Sequence, residues 1–483
     1  MSFFTLRHSI AKFLGALRIK SNHTNPNDAA VHYNVGVALW DRGAVDAAIA
    51  AFQAALRINP NLAHAHGALG VALAKQGGVG DAIAEFKTAL RIDPNLAHAH
   101  GNLGLVLWKN GDVEGAIAEF RAVLRINPND FQTHFNLALA LERKDDLEGA
   151  VAEYRAALRT NPNSAETHGN LGFALSQKGD VEGAIAEYRT ALRSNPNDVR
   201  THNNLGVALG QRGDIEGAIN EYRAALRIDP NLDDPHGNLG FALSQKGDVE
   251  GAIAEYQTAL RLNPNNASRR GYLGTMLVTK GDVEGAVAEF RAALRINPND
   301  VQAHYNLGST LGNIGDLEGA IAEFRAALRI DPNDVQARSS LGVTLNRKRD
   351  LEGAIAEYRE ALRINPNLAE VHKNLGIALG KIGDLEAAIA EYRTALSINP
   401  NDTKTRLNLG AALGNTGDAE GAIAEFRAAL RIDPNLALAH SNLAAALVMI
   451  GDEESAIAEF RAALRIDPNL DKARGYLAFL LGE

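Results

Sequence analysis

The sequence predicts an all-α solenoid built from 13 tandem 34-residue helix–turn–helix units. Three observations carry this. Of the 15 prolines in 483 residues, fourteen lie 34 residues apart without a slip, from Pro26 through Pro60 and Pro94 to Pro468, and only Pro235 is off the lattice. A fixed period of that length marks a repeat array, and it displaces the roughly three globular domains that length alone suggests. Within each period, apolar or small residues recur at positions 3, 7, 8, 10 and 11, and again at 20, 21, 24, 27 and 28; both sets are helix-spaced. Between the sets, position 15 is Gly in 11 of 13 units, with Asp145 and Arg349 in the other two.

The frame that puts the lattice proline at position 32 makes repeat one 29–62 and repeat thirteen 437–470. Each element has its reason. The first helix ends at the position 15 glycine, as a turn with positive φ prefers. An Asp usually follows it and caps the second helix, and a Glu two residues on favours the helix dipole. The proline closes the second helix, because it lacks an N–H and disfavours helix in the residue before it. Pro235 falls at position 3, in the first turn of a helix, where proline is tolerated. Gly at position 19 in nine units costs about 1 kcal/mol each against Ala, which predicts a pliable array.

The ends depart from the pattern. Residues 1–28 read as a degenerate N-terminal capping half-repeat and linker. Residues 10–20 match the second-helix consensus at seven of eleven places, but the proline due at 21 arrives at Pro26. The rival reading is a basic amphipathic targeting or membrane-surface helix presenting Phe3, Leu6, Ile10, Phe13, Leu14 and Leu17. Residues 471–483 supply one extra first helix. Its Tyr476, Leu477, Phe479, Leu480 and Leu481 either cap the array or support a homodimer.

Leu or Val at 7, Gly at 8, Ala at 20, Phe or Tyr at 24, Ala at 27 and Pro at 32 resemble the tetratricopeptide repeat. In repeat nine these are Leu307, Gly308, Ala320, Phe324, Ala327 and Pro332. The resemblance covers 29–470. It implies a right-handed superhelix with first helices lining a concave face. Two departures make the interhelix contact less aromatic than in the family: position 4 is His in ten units and Arg in three, and position 11 is Leu, as in Leu39.

Chemistry is excluded by what remains once the array is subtracted. Twenty-eight and thirteen residues cannot hold a catalytic domain, so no catalytic residue, metal or cofactor is expected. There is no cysteine for disulfides, thiolate chemistry or zinc. Same-position histidines on stacked helices stand roughly 10 Å apart, too far to share one ion. They are expected to pack between the two helices of a unit, where acid would loosen them. Gly77-Gly78-Val79-Gly80 is an interhelix turn rather than a phosphate loop, because no Lys-Ser or Lys-Thr follows it. The net charge is −9; residues 1–27 carry four basic side chains and no acid, leaving the remainder of the chain at −13. With no continuous basic stripe, nucleic acid is the least expected partner. No apolar run approaches the ~18 residues of a membrane span, and the start lacks a signal-peptide core. A cytoplasmic protein is expected.

Function is then expected in a surface stripe. Positions 2, 6, 9 and 13 lie on one face of the first helix, opposite the packing face. Position 6 is Asn in ten units, unbroken from Asn102 through Asn136, Asn170 and Asn204 to Asn238. Each amide offers an acceptor and two donor hydrogens to the backbone of an extended peptide. This is similar to the asparagine ladder in the tetratricopeptide superhelix of O-linked N-acetylglucosamine transferases, whose catalytic domain is absent here. Position 9 adds Phe173 and Phe241. Position 13 adds Lys75, Lys109 and Arg143 for an acidic side chain or a C-terminal carboxylate. The expected function is a non-enzymatic scaffold for peptide segments of protein partners. The alternatives are a targeting subunit for a separate enzyme such as a glycosyltransferase, and a structural, self-assembling array.

Overall fold

The computed structural model describes residues 28–482. The half-repeat or targeting helix expected over residues 1–27 lies outside them. The chain forms two compact units that divide between Lys246 and Gly247. The described residues form 27 α-helices and no strand. The first unit holds six complete pairs, beginning Ala29–Asp41 with Val45–Ile58 and Ala63–Gln76 with Val79–Ile92 and closing with Val199–Gln211 and Ile215–Ile228; the first helix of repeat seven, Asp233–Lys246, follows. The second unit starts with the second helix of repeat seven, Val249–Leu262. It continues through six pairs to Ala437–Met449 with Glu453–Ile466, and ends with Asp471–Leu481. All helices fall where the 34-residue frame puts them.

Local chemistry sets these boundaries. Asp180 caps Val181–Ser194 by accepting from the Gly183 amide at 2.9 Å, and Asp112 does the same for Gly115 at 2.8 Å. The turn glycines are left-handed, for example Gly77 at φ 91°, and Asp145 and Arg349 adopt the same region at φ 66° and 68°. Beyond each second helix the chain extends into the lattice proline, as at Asn127 (φ −128°) before Pro128.

Packing within a pair turns on position 8. A Cβ on Gly206 would stand 2.5 Å from the Tyr222 ring, and one on Gly104 2.7 Å from Phe120, so in these repeats glycine lets the first helix rest on the position 24 aromatic, while Ala138 and Ala444 take its place in repeats four and thirteen. That ring is buried with its neighbours: Phe120 is 1% exposed, Leu103 1% and Ala116 0%. Position 19 differs from expectation. A Cβ on Gly183 would meet the Asp180 carboxylate at 2.4 Å, so this glycine admits the helix cap rather than merely weakening the helix. Where Ala387 and Ser455 stand there, the cap bond lengthens to 3.1 Å.

The basic residue at position 4 joins three segments. In repeat five, His168 Nδ1 lies 2.5 Å from Glu187 Oε2 on its own second helix, and Nε2 lies 2.9 Å from the carbonyl oxygen of Pro162, which ends the preceding repeat. His66, His100, His134, His202, His304, His372 and His440 make both contacts as well. Arg270, Arg338 and Arg406 reproduce them, with Nη1 2.7–2.8 Å from the Glu and further guanidinium nitrogens on the Pro carbonyl. Packing between the helices is as expected. Each ring sits between a Glu carboxylate and a Pro carbonyl, in the place the three arginines occupy.

Candidate peptide groove

Within the first unit each helix packs on the helices before and after it, and the first helices of repeats one to three and of repeats five to seven also meet their neighbours. Their faces at positions 2, 6, 9 and 13 therefore form a common row, and this row holds every residue expected to bind a peptide.

The asparagines do not stand there as equals. Asn102 is 8% exposed and Asn136 5%, so these two are buried rather than presented. Asn170, Asn204 and Asn238 are half-buried. The amides are tied into the protein: Gln132 donates to Asn136 Oδ1 at 3.1 Å, Arg200 donates to Asn170 Oδ1 at 3.1 Å, and Asn238 donates to Asn203 Oδ1 at 3.0 Å. Asn204 bonds the Tyr188 hydroxyl, whose pKa burial pushes up while Arg200 and Asn204 offset it. An amide making one such bond keeps an acceptor lone pair or a donor hydrogen unspent.

Two charged residues, Arg200 in this row and Glu142 beside it, were not anticipated as part of the site. The Tyr154 hydroxyl donates to Glu142 Oε2 at 2.9 Å. Burial pushes the Glu142 carboxyl up, while Tyr154 and the nearby Arg200 hold it down. Arg200 thus ties Glu142, Asn170 and the tyrosines into one polar cluster spanning repeats four to six. Its signal in the sequence is that Glu occurs at position 12, and Arg at position 2, only once each among the thirteen units.

The basic trio is exposed along the row's edge. Lys75 Nζ stands 5.3 Å from the centroid of the Trp40 ring, and the Arg143 guanidinium 5.1 Å from that of Trp108; each indole belongs to the preceding repeat. Phe173 and Phe241 are 39% and 45% exposed, the most exposed large apolar side chains on the first helices of repeats three to seven. Near the other end of this unit's row the His64 and His98 rings lie 5.7 Å apart. Burial, and then repulsion from His64, lowers the His98 pKa to about 3.

In the second unit the same stripe carries Tyr272, Leu438 and Met449, each about half exposed. A cavity of about 530 Å³ in that unit is lined by Gln257, Arg261, Arg270 and Glu289 and contains none of the expected peptide-binding residues. Among the described residues no three His, Asp or Glu side chains are grouped to hold a metal, and no helix is long and apolar enough to cross a membrane.

Comparison with known proteins agrees with the frame. A family model described as a TPR repeat matches residues 40–77, 174–211, 208–247, 242–270, 274–315, 380–417 and 415–451, more than half of the chain. A second, described as a tetratricopeptide repeat, matches 67–131, 102–165 and 305–369. A third matches 437–470, the span of repeat thirteen. No curated protein matches the whole chain or part of it. Among solved structures, YrrB, described as a TPR protein with an unusual peptide-binding site, is 26% identical over 39% of this chain and 96% of its own, with a TM-score of 0.36. MamA from Desulfovibrio magneticus RS-1 is 24% identical over 35% of this chain and 95% of its own, with a TM-score of 0.34. The Cut9–Hcn1 hetero-tetramer of the APC/C is 15% identical over 99% of both chains, with a TM-score of 0.39. With the 34-residue period, the glycine-on-aromatic helix pairs and the family models in agreement, the chain belongs to the tetratricopeptide repeat family.

Proposed function

We propose that the protein is a non-enzymatic interaction scaffold whose first unit binds an extended segment of a partner protein along repeats two to seven. The observation that carries this is the row Asn170, Asn204 and Asn238, half-buried, with spare hydrogen-bonding capacity and flanked by the exposed rings of Phe173 and Phe241. Amides at a fixed spacing suit a peptide backbone, and the two rings suit apolar side chains of the same peptide. The trio Lys75, Lys109 and Arg143 would receive an acidic residue or the peptide's terminal carboxylate. Asn102 and Asn136 position their neighbours in this reading rather than touching the peptide.

The test is a peptide array probed with the wild-type chain and with Asn170→Ala, Asn204→Ala and Asn238→Ala combined. Binding that falls at least tenfold across peptides of unrelated sequence supports backbone recognition. Unchanged binding refutes it. A second reading, a homodimer through the last helix, draws on Phe479 at 80% and Tyr476 at 52% exposure. Light scattering of wild type and Phe479→Asp separates it, since only a dimer through this helix would lose mass.

A further inference from the structure

The net charge of −9 conceals a segregation of charge on the second helices. Positions 25 and 29, four residues apart and so on one face, carry 23 of the chain's 49 basic side chains. In repeats three to five these are Arg121 and Arg125, Arg155 and Arg159, Arg189 and Arg193, all exposed. Around them position 22 is Ala, position 26 is Ala or Thr, and position 31 is Asn in all three repeats, so the nearest acid on the same face is the position 18 Glu, two turns before the first arginine.

The acids nearest in sequence, Glu119, Glu153 and Glu187, lie two residues before the first arginine of each pair and are held by His100, His134 and His168 at 2.5 Å. Glu114, Glu148 and Glu182, at the other end of the same helices, pair with Lys144, Lys178 and Arg212 of the following repeats at 2.5, 3.0 and 3.5 Å. Among the described residues none of the six arginines is paired with a carboxylate. Arg193 donates to Thr190 at 2.8 Å, and Arg189 is the weakest of the influences that lower the Asp214 pKa.

We propose that this arginine face binds the sugar–phosphate backbone of a nucleic acid, without sequence preference. Guanidinium groups suit phosphate because they donate two parallel hydrogen bonds to it. Two arginines per repeat, on second helices that alternate with first helices along the stack, form a repeating column that suits a linear polyanion. No exposed Trp, Tyr or Phe lies on this face of repeats three to five, so no base is stacked and the contact is with phosphates alone. A linear polymer touches the columns and avoids the acidic remainder of the chain, whereas an anionic bilayer would face all of it. The polar Thr160 and Ser194 at position 30 of repeats four and five also offer nothing to an acyl layer. The acidic balance that made nucleic acid the least expected partner is an average over the chain, and it does not describe this face.

The test is fluorescence anisotropy of a labelled 20-nucleotide strand of mixed sequence and of its duplex, with the full chain at 50 to 200 mM salt. The comparison is a variant in which the six arginines are changed to Gln. All six are exposed, so circular dichroism and the melting temperature should match wild type. Wild type is expected to bind both probes. The variant should bind at least tenfold more weakly at 50 mM salt, with the log–log salt slope for the single strand smaller by up to about 4. Absence of binding at 50 mM salt overturns the proposal, as does a variant that binds like wild type. Capture of phosphatidylserine vesicles without oligonucleotide binding overturns it in favour of a membrane.

Discussion

Replacing His168 tests whether position 4 is a filler between helices or a connection with defined chemistry. The ring is held by Glu187 Oε2 at 2.5 Å and the Pro162 carbonyl at 2.9 Å, with 11% of the His and 27% of the Glu side chain exposed. A hydrogen bond to a charged group is worth about 1.5–3 kcal/mol and one to a carbonyl about 1 kcal/mol. Solvent at Glu187 favours the lower figures, so His168→Ala should cost about 2–3 kcal/mol. His168→Arg should cost little, because Arg270, Arg338 and Arg406 already make the same two contacts. In an array stabilised by neighbour contacts the loss is local, and the assay should be local as well. Hydrogen exchange of the amides in 165–194 should accelerate roughly 30- to 150-fold in the Ala variant and stay near wild type in the Arg variant. If both variants accelerate together, or neither does, the three-way contact does not hold the repeats as described.

Gly206→Ala forces a Cβ to 2.5 Å from the Tyr222 ring and should lower stability by about 1–3 kcal/mol, whereas the same change at Gly210, whose Cβ would meet only Ala218 at 3.9 Å, should be neutral or stabilising in thermal unfolding. Arg349→Gly relieves a left-handed residue and should raise stability by about 1 kcal/mol; Asp145→Gly should gain less, since Asp tolerates that region better. His98 has a pKa lowered to about 3, so below about pH 6.5 the unfolded chain takes up a proton that the folded chain refuses. Stability is therefore lost as pH falls from about 6.5 toward 3, and His98→Gln should flatten the melting temperature across that window.

The frame was legible because one rule governs every copy: the proline at position 32 ends a helix, the residue at position 15 turns the chain, and the small residue at position 8 admits a ring. Interactions between positions were harder to see. His168 and Glu187 lie 19 residues apart, a separation that no single helix period connects, and the carbonyl of Pro162 has no sequence signature. A signal did exist, since a basic residue at 4 accompanies Glu at 23 in repeats two to thirteen. Asn136 is buried and bonded by Gln132, a residue at the variable position 2, and a consensus averages such neighbours away. The arginine columns were present in the count of position 29. They stayed hidden because one net charge was taken to describe every face.

The position 4 contact reaches the preceding repeat through a backbone carbonyl, so it makes no demand on that repeat's side chains. Any unit ending in proline can precede any unit bearing His or Arg at position 4. Breakpoints a multiple of 34 residues apart then yield a workable junction, and copy number can change by recombination without redesign of the interfaces. The identical segments 169–188 and 237–256 are what such an exchange would leave behind.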